Sequence, residues 1–279
     1  MHKYIIWDIN PEIFSVGPLS IRWYGLLFAL GFLVGMQIMT YIFKKESKPE
    51  TDTDTLLIYM VISTVLGARL GHFIFYEPEA FLKNPFQVLL PPFAGLASHG
   101  ATIGILLALW LYSRRKGSVA TGQTFLWVTD RIVIAVALSG AFIRLGNLMN
   151  SEIIGRPTDL PWGFVFMNAD YRGITDIVSM QKIPRHPAQL YEALSCFVLF
   201  LLLYWFWNKY KEKTPRGSML GIFLIWVFSL RFLYEYTKEN QVAFENDLFL
   251  NMGQILSIPA VLMGVFFLVK AYRNKPIVV

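Results

Sequence analysis

Charged and amide side chains are concentrated between Gly140 and Asp159, directly after an apolar run long enough to enter a membrane. Ionisable groups at the edge of the hydrocarbon layer are costly, and they are retained when they are paired, reach water or handle a charged substrate. Guanidinium and carboxylate groups at such a boundary could handle a charged substrate. The stretch is therefore the first candidate for a functional site, through Arg144, Asn147, Asn150, Glu152 and Arg156.

The elements that must position these groups follow from the apolar runs. The chain is 55% hydrophobic and 16% charged, with mean hydropathy +0.47, which is too apolar for a soluble globular surface. The runs predict an all-α integral membrane protein with seven transmembrane helices of about 17 to 25 residues each, forming a single membrane domain over residues 1–279. The predicted spans are Leu19–Phe43, Thr55–Tyr76, Ala97–Ser113, Phe125–Ile143, Ala188–Trp207, Met219–Tyr236 and Leu250–Tyr272.

The distribution of basic residues predicts the orientation of these helices. The segments after the first, third, fifth and seventh spans are basic, whereas the opposite short segments hold only Lys3, Lys83 and Lys238. Because basic segments stay in the cytoplasm, we expect the N-terminus outside and the C-terminus inside. The net charge of +6 then anchors the chain to anionic membrane lipid, and nothing indicates a nucleic-acid partner. The basic residues are Lys44, Lys45, Lys48, Arg114, Arg115, Lys116, Lys209, Lys211, Lys213, Arg216, Lys270, Arg273 and Lys275.

The longest connection, residues 144–187, is external in this topology and carries mixed charge. Long external connections of this kind are usually functional or ordered, so we expect a small external cap between helices four and five. Six of the seven predicted helices also place polar groups near this outer face, within about 7 to 8 Å of the boundary for residues five positions from a helix end. These groups include Tyr24, Arg69, His72, His99, Arg144, Asn147, His186, Gln189, Glu192 and Arg231.

Each of these residues has a simpler alternative interpretation. Arg144 could extend to the lipid headgroups, and Arg231 with Glu235 could form a structural i,i+4 pair on one helix. His99 could be a hydrogen-bonded structural histidine, and Tyr24 could belong to an aromatic belt. In the inner half of span four, Asp130 with Arg131 is better explained as a pair that stabilises the bundle.

The spacing of the other reactive residue types excludes several kinds of chemistry. The four histidines lack the HExxH spacing and Cys196 is the single cysteine, so a zinc site is not predicted. Walker, GxGxxG and GxSxG sequences are also absent. We expect neither a metal nor a redox cofactor. The competing class is a membrane permease or binding protein for an anionic lipid or solute, although a transporter should place its charges near the midplane.

Seven motifs give the chain a strong resemblance to the bacterial prolipoprotein diacylglyceryl transferases, a family of inner-membrane enzymes. The RLGN-to-GRP segment is the signature of that family, and it lies at the outer end of predicted span four. The motifs are IRWYG at 21–25, GARLGHFIFY at 67–76, GLASHGATIG at 95–104, RLGNLMNSEIIGRP at 144–157, RHPAQLYE at 185–192, RFLYEYTKE at 231–239 and MGQILSIP at 252–259.

The resemblance implies a defined reaction in the bacterial inner membrane. The sn-1,2-diacylglyceryl group of phosphatidylglycerol would pass to the lipobox cysteine in the signal peptide of a prolipoprotein, forming a thioether and releasing glycerol 1-phosphate. A thiol needs a base or a nearby cation to become a nucleophile, and arginines could bind the leaving phosphate. Residues implied to be catalytic are Tyr24, His99, Arg144, Arg231 and Glu235, and those implied to bind phosphatidylglycerol are Arg144, Asn147, Glu152, Gly155 and Arg231.

Individual roles follow from the same resemblance. His99 is the candidate base, Arg144 and Arg231 would contact the phosphate, and Asn147 and Tyr24 could hydrogen-bond the glycerol or phosphate. Glu235 and Glu152 would orient the arginines or accept a proton. The sequence departs from the family pattern at three positions: Lys238 replaces an arginine, and Ala101 and Ser151 each replace a glycine.

Overall fold

The computed structural model describes residues 4–17, 19–90, 95–169, 183–237 and 249–273. Within these ranges the chain is mostly helical. The helices, labelled in chain order, are α1 (Trp23–Lys45), α2 (Thr51–Tyr76), α3 (Pro78–Lys83), α4 (Ser98–Ser113), α5 (Lys116–Ala120), α6 (Phe125–Met149), α7 (Ala188–Tyr210), α8 (Ser218–Tyr234) and α9 (Met252–Arg273). The strands are β1 (Ile5–Trp7), β2 (Glu12–Val16), β3 (Leu19–Arg22) and β4 (Phe164–Phe166).

Six of the described helices are long and apolar enough to cross a membrane: α1, α2, α6, α7, α8 and α9. The chain is therefore a multi-pass membrane protein, as its composition predicts. The third predicted span corresponds to α4, which has 16 residues and is about 24 Å long at 1.5 Å per residue. This length is below the hydrocarbon thickness of about 30 Å, so α4 remains a predicted seventh span.

The predicted start of span one is wrong by four residues. Leu19–Arg22 forms strand β3, which pairs antiparallel with β2 through a turn at Gly17, whose φ is +60°. Side chains alternate along this segment with a period of two, as a strand requires, and hydropathy alone does not separate this pattern from a helix start. Helix α1 begins at Trp23, whose backbone N–H donates to the Pro11 carbonyl at 3.1 Å. Arg22 is thus an exposed strand residue outside the helix.

The N-terminal segment supports the C-terminal end of α6. Strand β1 pairs in parallel with β4, aligning Ile5–Trp7 with Phe164–Phe166. The Trp7 indole packs against Phe164 and donates its N–H to the Leu148 carbonyl at 3.0 Å. Leu148, Phe164 and Phe166 form a buried apolar cluster there. Residues 144–149 of the predicted cap belong to α6, and residues 170–182 lie outside the described part of the chain.

Contacts divide the chain into two compact units, Met1–Gly35 with Val133–Val279, and Met36–Ile132. The single membrane domain stays a prediction. In the Met36–Ile132 unit, α2 packs on α4 through glycines: a Cβ at Gly71 would lie 2.6 Å from the Gly100 Cα, and one at Gly104 would lie 2.6 Å from the Ser63 carbonyl. Small residues at such spacing let helix backbones approach closely.

A buried ion pair lies in the Met36–Ile132 unit. Arg131 donates from Nε and Nη2 to the two carboxylate oxygens of Glu46, at 3.1 and 3.0 Å, and Trp127 Nε1 donates to Glu46 Oε2 at 2.8 Å. Asp130 lies 4.0 Å from Arg131, and Arg131, Asp130 and Glu46 are all 0% exposed. The stabilising interpretation of Asp130 with Arg131 is supported, but the principal partner of Arg131 is Glu46, which the sequence analysis did not propose.

Arg131→Met is expected to destabilise the protein by about 3 to 5 kcal/mol, because it leaves the Glu46 carboxylate buried without its cation. Thermal unfolding in detergent should show this as a lower midpoint. Arg216→Met is the matched control, since Arg216 is exposed and forms no ion pair within the described residues. Equal midpoints for the two variants would contradict a stabilising role for the buried pair.

Candidate functional site

Arg144 is held inside the helical bundle by side chains of two helices. Its Nε donates to Glu192 Oε2 on α7 at 2.5 Å, and its Nη1 donates to Asn147 Oδ1, one turn along α6, at 3.3 Å. The Arg144 side chain is 30% exposed and that of Glu192 is 10% exposed. These contacts argue against an arginine that extends to lipid headgroups, because its Nε and Nη1 are engaged within the protein.

Asn147 continues this array to Glu152. The Asn147 Nδ2 donates to Glu152 Oε1 at 2.7 Å, and Asn150 Nδ2 donates to the same oxygen at 3.3 Å. Asn147 is 5% exposed, whereas Glu152 is exposed. The Glu152 carbonyl accepts from Gln189 Nε2 at 2.5 Å. Arg144, Asn147 and Glu152 therefore form one hydrogen-bonded chain.

The turn that carries Glu152 has an uncommon backbone. Ser151 and Ile153, on either side of Glu152, have φ of +52° and +57°. This left-handed region favours glycine, and a β-branched residue such as Ile153 rarely adopts it. Ser151 stands where the resemblance predicts glycine. The positive φ of Ser151 gives a physical reason for a glycine at that position. Such backbone strain costs on the order of 1 to 3 kcal/mol and persists where the surrounding structure enforces it.

Tyr24 lies beside the same array. It is in the first turn of α1, and a Cβ at Gly146 would lie 2.8 Å from the Tyr24 Cδ2 and 3.2 Å from its Cα. Gly146 thus admits Tyr24 against α6, two residues from Arg144. A simple aromatic-belt role does not account for this placement.

Gly155 lies where three segments of the chain meet. Its N–H donates to the His186 carbonyl at 3.0 Å, its carbonyl accepts from Arg185 Nη1 at 3.2 Å, and the next N–H, of Arg156, donates to the Thr237 carbonyl at 2.7 Å. A Cβ at Gly155 would lie 2.6 Å from the His186 carbonyl oxygen and 2.9 Å from that of Thr237. Close backbone approach therefore requires glycine here.

Arg231 and Glu235 are not paired with each other. Arg231 is exposed on α8, and within the described residues its guanidinium forms neither a hydrogen bond nor an ion pair. Glu235 instead accepts from Asn251 Nδ2 at 3.1 Å and packs against Gly253. The structural i,i+4 alternative is thus wrong for this pair. Lys238, which departs from the family pattern, lies outside the described residues.

His99 belongs to the Met36–Ile132 unit. It is exposed in the first turn of α4, and its ring meets Phe75 edge to face, with centroids 4.8 Å apart, and Tyr76 at 5.9 Å. Within the described residues no hydrogen bond orients the ring, so the hydrogen-bonded structural alternative finds no support. His72 is oriented differently, because its Nε2 lies 3.2 Å from Glu77 Oε1.

Arg69 supports the connection that leads to His99. The guanidinium is buried, 3% exposed, and donates to the backbone carbonyls of Val88 at 3.3 Å and Gln87 at 3.2 Å. It also reaches the carbonyls of Leu90 and Gly95 at 3.4 and 3.5 Å. The position of Arg69 in the sequence does not distinguish this structural role from contact with a substrate.

An apolar cavity of about 610 Å³ lies between α7 and α8 in the unit that contains Arg144. Leu194, Val198, Trp226 and Leu230 line it, and Trp162, whose indole N–H donates to the Tyr191 hydroxyl at 3.0 Å, borders its rim. Among the described residues no group of three His, Cys, Asp or Glu side chains could hold a metal ion.

These features define a multi-pass membrane protein whose α6–α7 polar array follows the C-terminal end of an apolar helix. A family model described as prolipoprotein diacylglyceryl transferase matches residues 11–270. The chain belongs to that family.

Relatives named phosphatidylglycerol–prolipoprotein diacylglyceryl transferase align along nearly the whole chain. The protein from Chloroherpeton thalassium is 46% identical over 275 residues, covering 98% of this chain and 96% of the relative. That from Tolumonas auensis is 44% identical over 271 residues, covering 97% and 99%. That from Vibrio cholerae is 37% identical over 272 residues, covering 96% and 93%.

Proposed function

We propose that this chain transfers the sn-1,2-diacylglyceryl group of phosphatidylglycerol to the lipobox cysteine thiol of prolipoproteins. The observation that carries the proposal is the Arg144 guanidinium, held by Glu192 and Asn147 and partly exposed. Family membership supports the same reaction, since the relatives are named for phosphatidylglycerol and prolipoprotein.

The reaction forms one bond and breaks one bond. The thiolate sulfur attacks the glycerol carbon that bears the phosphate, the carbon–oxygen bond breaks, and its electron pair stays on the leaving oxygen. A thioether and glycerol 1-phosphate result, and the thiol proton passes to a base. Because the phosphodiester becomes a dianionic monoester, negative charge grows at its oxygens, where charge-assisted bonds from arginine strengthen most.

The residues of the Arg144 array have separate roles. Arg144 contacts the phosphate through its Nη groups, and Asn147 and Tyr24 hydrogen-bond the glycerol or phosphate. Glu152 is exposed next to them and orients the array, while Gly155 keeps the neighbouring backbone segments together. Arg231, exposed on α8, supplies a second cation for the phosphate, and Glu235 positions the end of that helix.

We place the reaction at the outer face of the bacterial inner membrane. In this arrangement seven helices cross, including α4, the N-terminus is periplasmic and the C-terminus cytoplasmic. Residues after α6 form an external cap. The basic residues of the predicted cytoplasmic segments support this orientation, and signal peptides with a lipobox cysteine reach this face during export.

A permease for an anionic lipid or solute is the competing function, and product formation separates the two. Purified protein is given phosphatidylglycerol labelled in its headgroup glycerol together with a lipobox peptide. A transferase releases labelled glycerol 1-phosphate in proportion to lipidated peptide. A peptide with serine in place of the cysteine is the control. Headgroup release without dependence on the thiol would contradict the proposal.

His99→Asn is expected to reduce transfer near neutral pH by about 10²- to 10⁴-fold, the usual contribution of a general base. Because a peptide thiol has a pKa of about 8.5, more thiolate forms as the pH rises, and the variant should regain part of its rate. The measurement is the pH dependence of transfer for both proteins. A loss of equal size at every pH would indicate structural support in place of proton transfer.

The proposed orientation predicts which introduced cysteines are accessible. In a Cys196→Ala background, a cysteine replacing exposed Asp159 should react with a membrane-impermeant thiol reagent in intact spheroplasts. A cysteine replacing exposed Lys213 should react only after the membrane is opened. The bias of basic residues is the physical reason. The reverse labelling pattern would invert the topology and move the array away from exported substrates.

A further inference from the structure

Glu192 is the closest partner of Arg144. It lies in the second turn of α7 and is 8% exposed, and its Oε2 accepts the Arg144 Nε–H at 2.5 Å. The Glu192 side chain is the less exposed member of the pair, at 10%, and the Arg144 side chain is the more exposed member, at 30%. A buried carboxylate is retained when it is paired with a cation, and Arg144 is a cation that pairs with Glu192.

Gln189 holds the other end of the same array. It lies one turn before Glu192 on α7, is 1% exposed, and donates from Nε2 to the Glu152 carbonyl at 2.5 Å. Residues three apart share a helix face. One face of α7 therefore contacts both the Arg144 guanidinium, on α6, and the backbone of Glu152, in the segment that follows α6.

These contacts determine which part of Arg144 can meet a ligand. A guanidinium has five N–H donors in a planar fork. Glu192 takes the Nε–H and Asn147 takes one Nη1–H, so within the part of the chain that the structure describes, Nη2 and the second Nη1–H are left for another acceptor. The Nη1–Nη2 edge is a bidentate donor for two oxygens of one phosphate.

We propose that Glu192 is a positioning residue for the transfer reaction, acting through Arg144. Its carboxylate fixes the plane of the guanidinium so that the Nη1–Nη2 edge is directed at the phosphate oxygens as they gain charge. Without this anchor the long arginine side chain can extend toward the lipid headgroups. The inference rests on the proposed transferase function. It adds Glu192, which is absent from the catalytic and binding residues that the resemblance implies.

Both the charge and the length of Glu192 matter in this arrangement. Glutamine keeps the length but offers only a neutral acceptor, and charge-assisted hydrogen bonds are roughly twice as strong as neutral ones. Aspartate keeps the charge on a shorter side chain. Because the interaction aligns a group that acts as charge develops in the transition state, its loss should lower kcat more than it raises KM.

The test compares kcat and KM for phosphatidylglycerol in the full-length protein with a lipobox peptide. Glu192→Gln should lower kcat by about 10- to 100-fold, with KM changed by less than about 3-fold. Glu192→Asp should fall between glutamine and wild type. Glu79→Gln, which removes an exposed carboxylate from α3, should match wild type. Thermal unfolding of each variant reports whether it is folded. If the glutamine variant is not folded, kcat and KM of the aspartate variant are compared with those of wild type.

The same substitution in an Arg144→Lys background separates positioning from a general structural role. Lysine has no planar guanidinium to align, so adding Glu192→Gln to the Arg144→Lys variant should lower kcat by less than about 3-fold. An equal loss of kcat in both backgrounds, or wild-type kcat in Glu192→Gln, would overturn the inference while leaving the transferase function standing. Failure of the wild-type protein to lipidate the peptide would instead overturn the proposed function, and this inference with it.

Discussion

Replacing Arg144 with alanine is expected to abolish diacylglyceryl transfer, and replacing it with lysine is expected to leave about one hundredth of the wild-type rate. Loss of one donor to a developing oxyanion typically costs about 10²- to 10³-fold in kcat. Lysine keeps the charge but cannot present two parallel N–H groups to a phosphate, nor can it bind Glu192 through Nε while doing so. The array from Glu192 through Arg144 to Asn147 should lose its alignment in both variants.

The measurement is the initial rate of peptide lipidation by purified protein at saturating phosphatidylglycerol. Arg216→Lys and Arg216→Ala are matched controls, because Arg216 is exposed and within the described residues forms no ion pair. Both controls should retain the wild-type rate. Full activity in Arg144→Lys would rule out a role for the planar guanidinium and leave Arg144 as a point charge.

Gly155→Ala is expected to reduce transfer at least about 100-fold, because small displacements of positioned groups can cost that much. The new methyl group would lie 2.6 Å from the His186 carbonyl oxygen and 2.9 Å from that of Thr237. Both are backbone atoms, so a segment of chain must move to make room. The movement would separate the Glu152–Arg156 segment from the start of α7, which carries Glu192, and from the turn after α8, which begins with Glu235.

Gly117→Ala provides the control for Gly155→Ala. Its new methyl group would meet only the Arg115 side chain, at 3.9 Å, on the short helix α5. Rates of peptide lipidation and unfolding midpoints should be measured for both variants. Wild-type activity in Gly155→Ala would mean that the three backbone segments can separate without consequence, and Gly155 would have no part in shaping the site.

Apolar runs predicted the long helices well because lipid imposes both their length and their composition. The ends were less accurate where another element competes. Leu19–Arg22 pairs with Glu12–Val16 as a hairpin, although the segment is apolar enough to extend a helix. Helix α6 continues six residues beyond Ile143 to Met149, because Leu145 and Leu148 keep an apolar face next to Trp7 and Phe164.

Local sequence singled out candidate side chains that are contiguous in the chain. Arg144, Asn147 and Glu152 are close in sequence at a helix end, and in the structure Asn147 accepts a hydrogen bond from Arg144 and donates one to Glu152. The acidic partner of Arg144, which lies on another helix, could not be identified from local sequence. Three glutamates, at positions 152, 192 and 235, were at a suitable depth, and only the packing of α7 identifies Glu192 as the partner of Arg144.

The roles of glycines were also beyond sequence reasoning. Gly155 lies in the family signature, but the sequence does not show why glycine is needed there. The reason is the close approach of the His186 and Thr237 carbonyls, which come from distant parts of the chain. Gly146 was not proposed, and it admits the Tyr24 ring to α6. Such contacts depend on distances between backbones, which neither hydropathy nor residue spacing records.

Mass spectrometry of the acceptor peptide tests the central claim most directly. Purified protein is incubated with a lipobox peptide and phosphatidylglycerol that carries isotopic labels in both acyl chains and in the glycerol that bears them. We expect the peptide to gain one diacylglyceryl group containing all of these labels, on the cysteine sulfur, through a thioether that resists hydroxylamine. Gain of a single acyl chain through a hydroxylamine-sensitive thioester, or no gain of lipid at all, would contradict it.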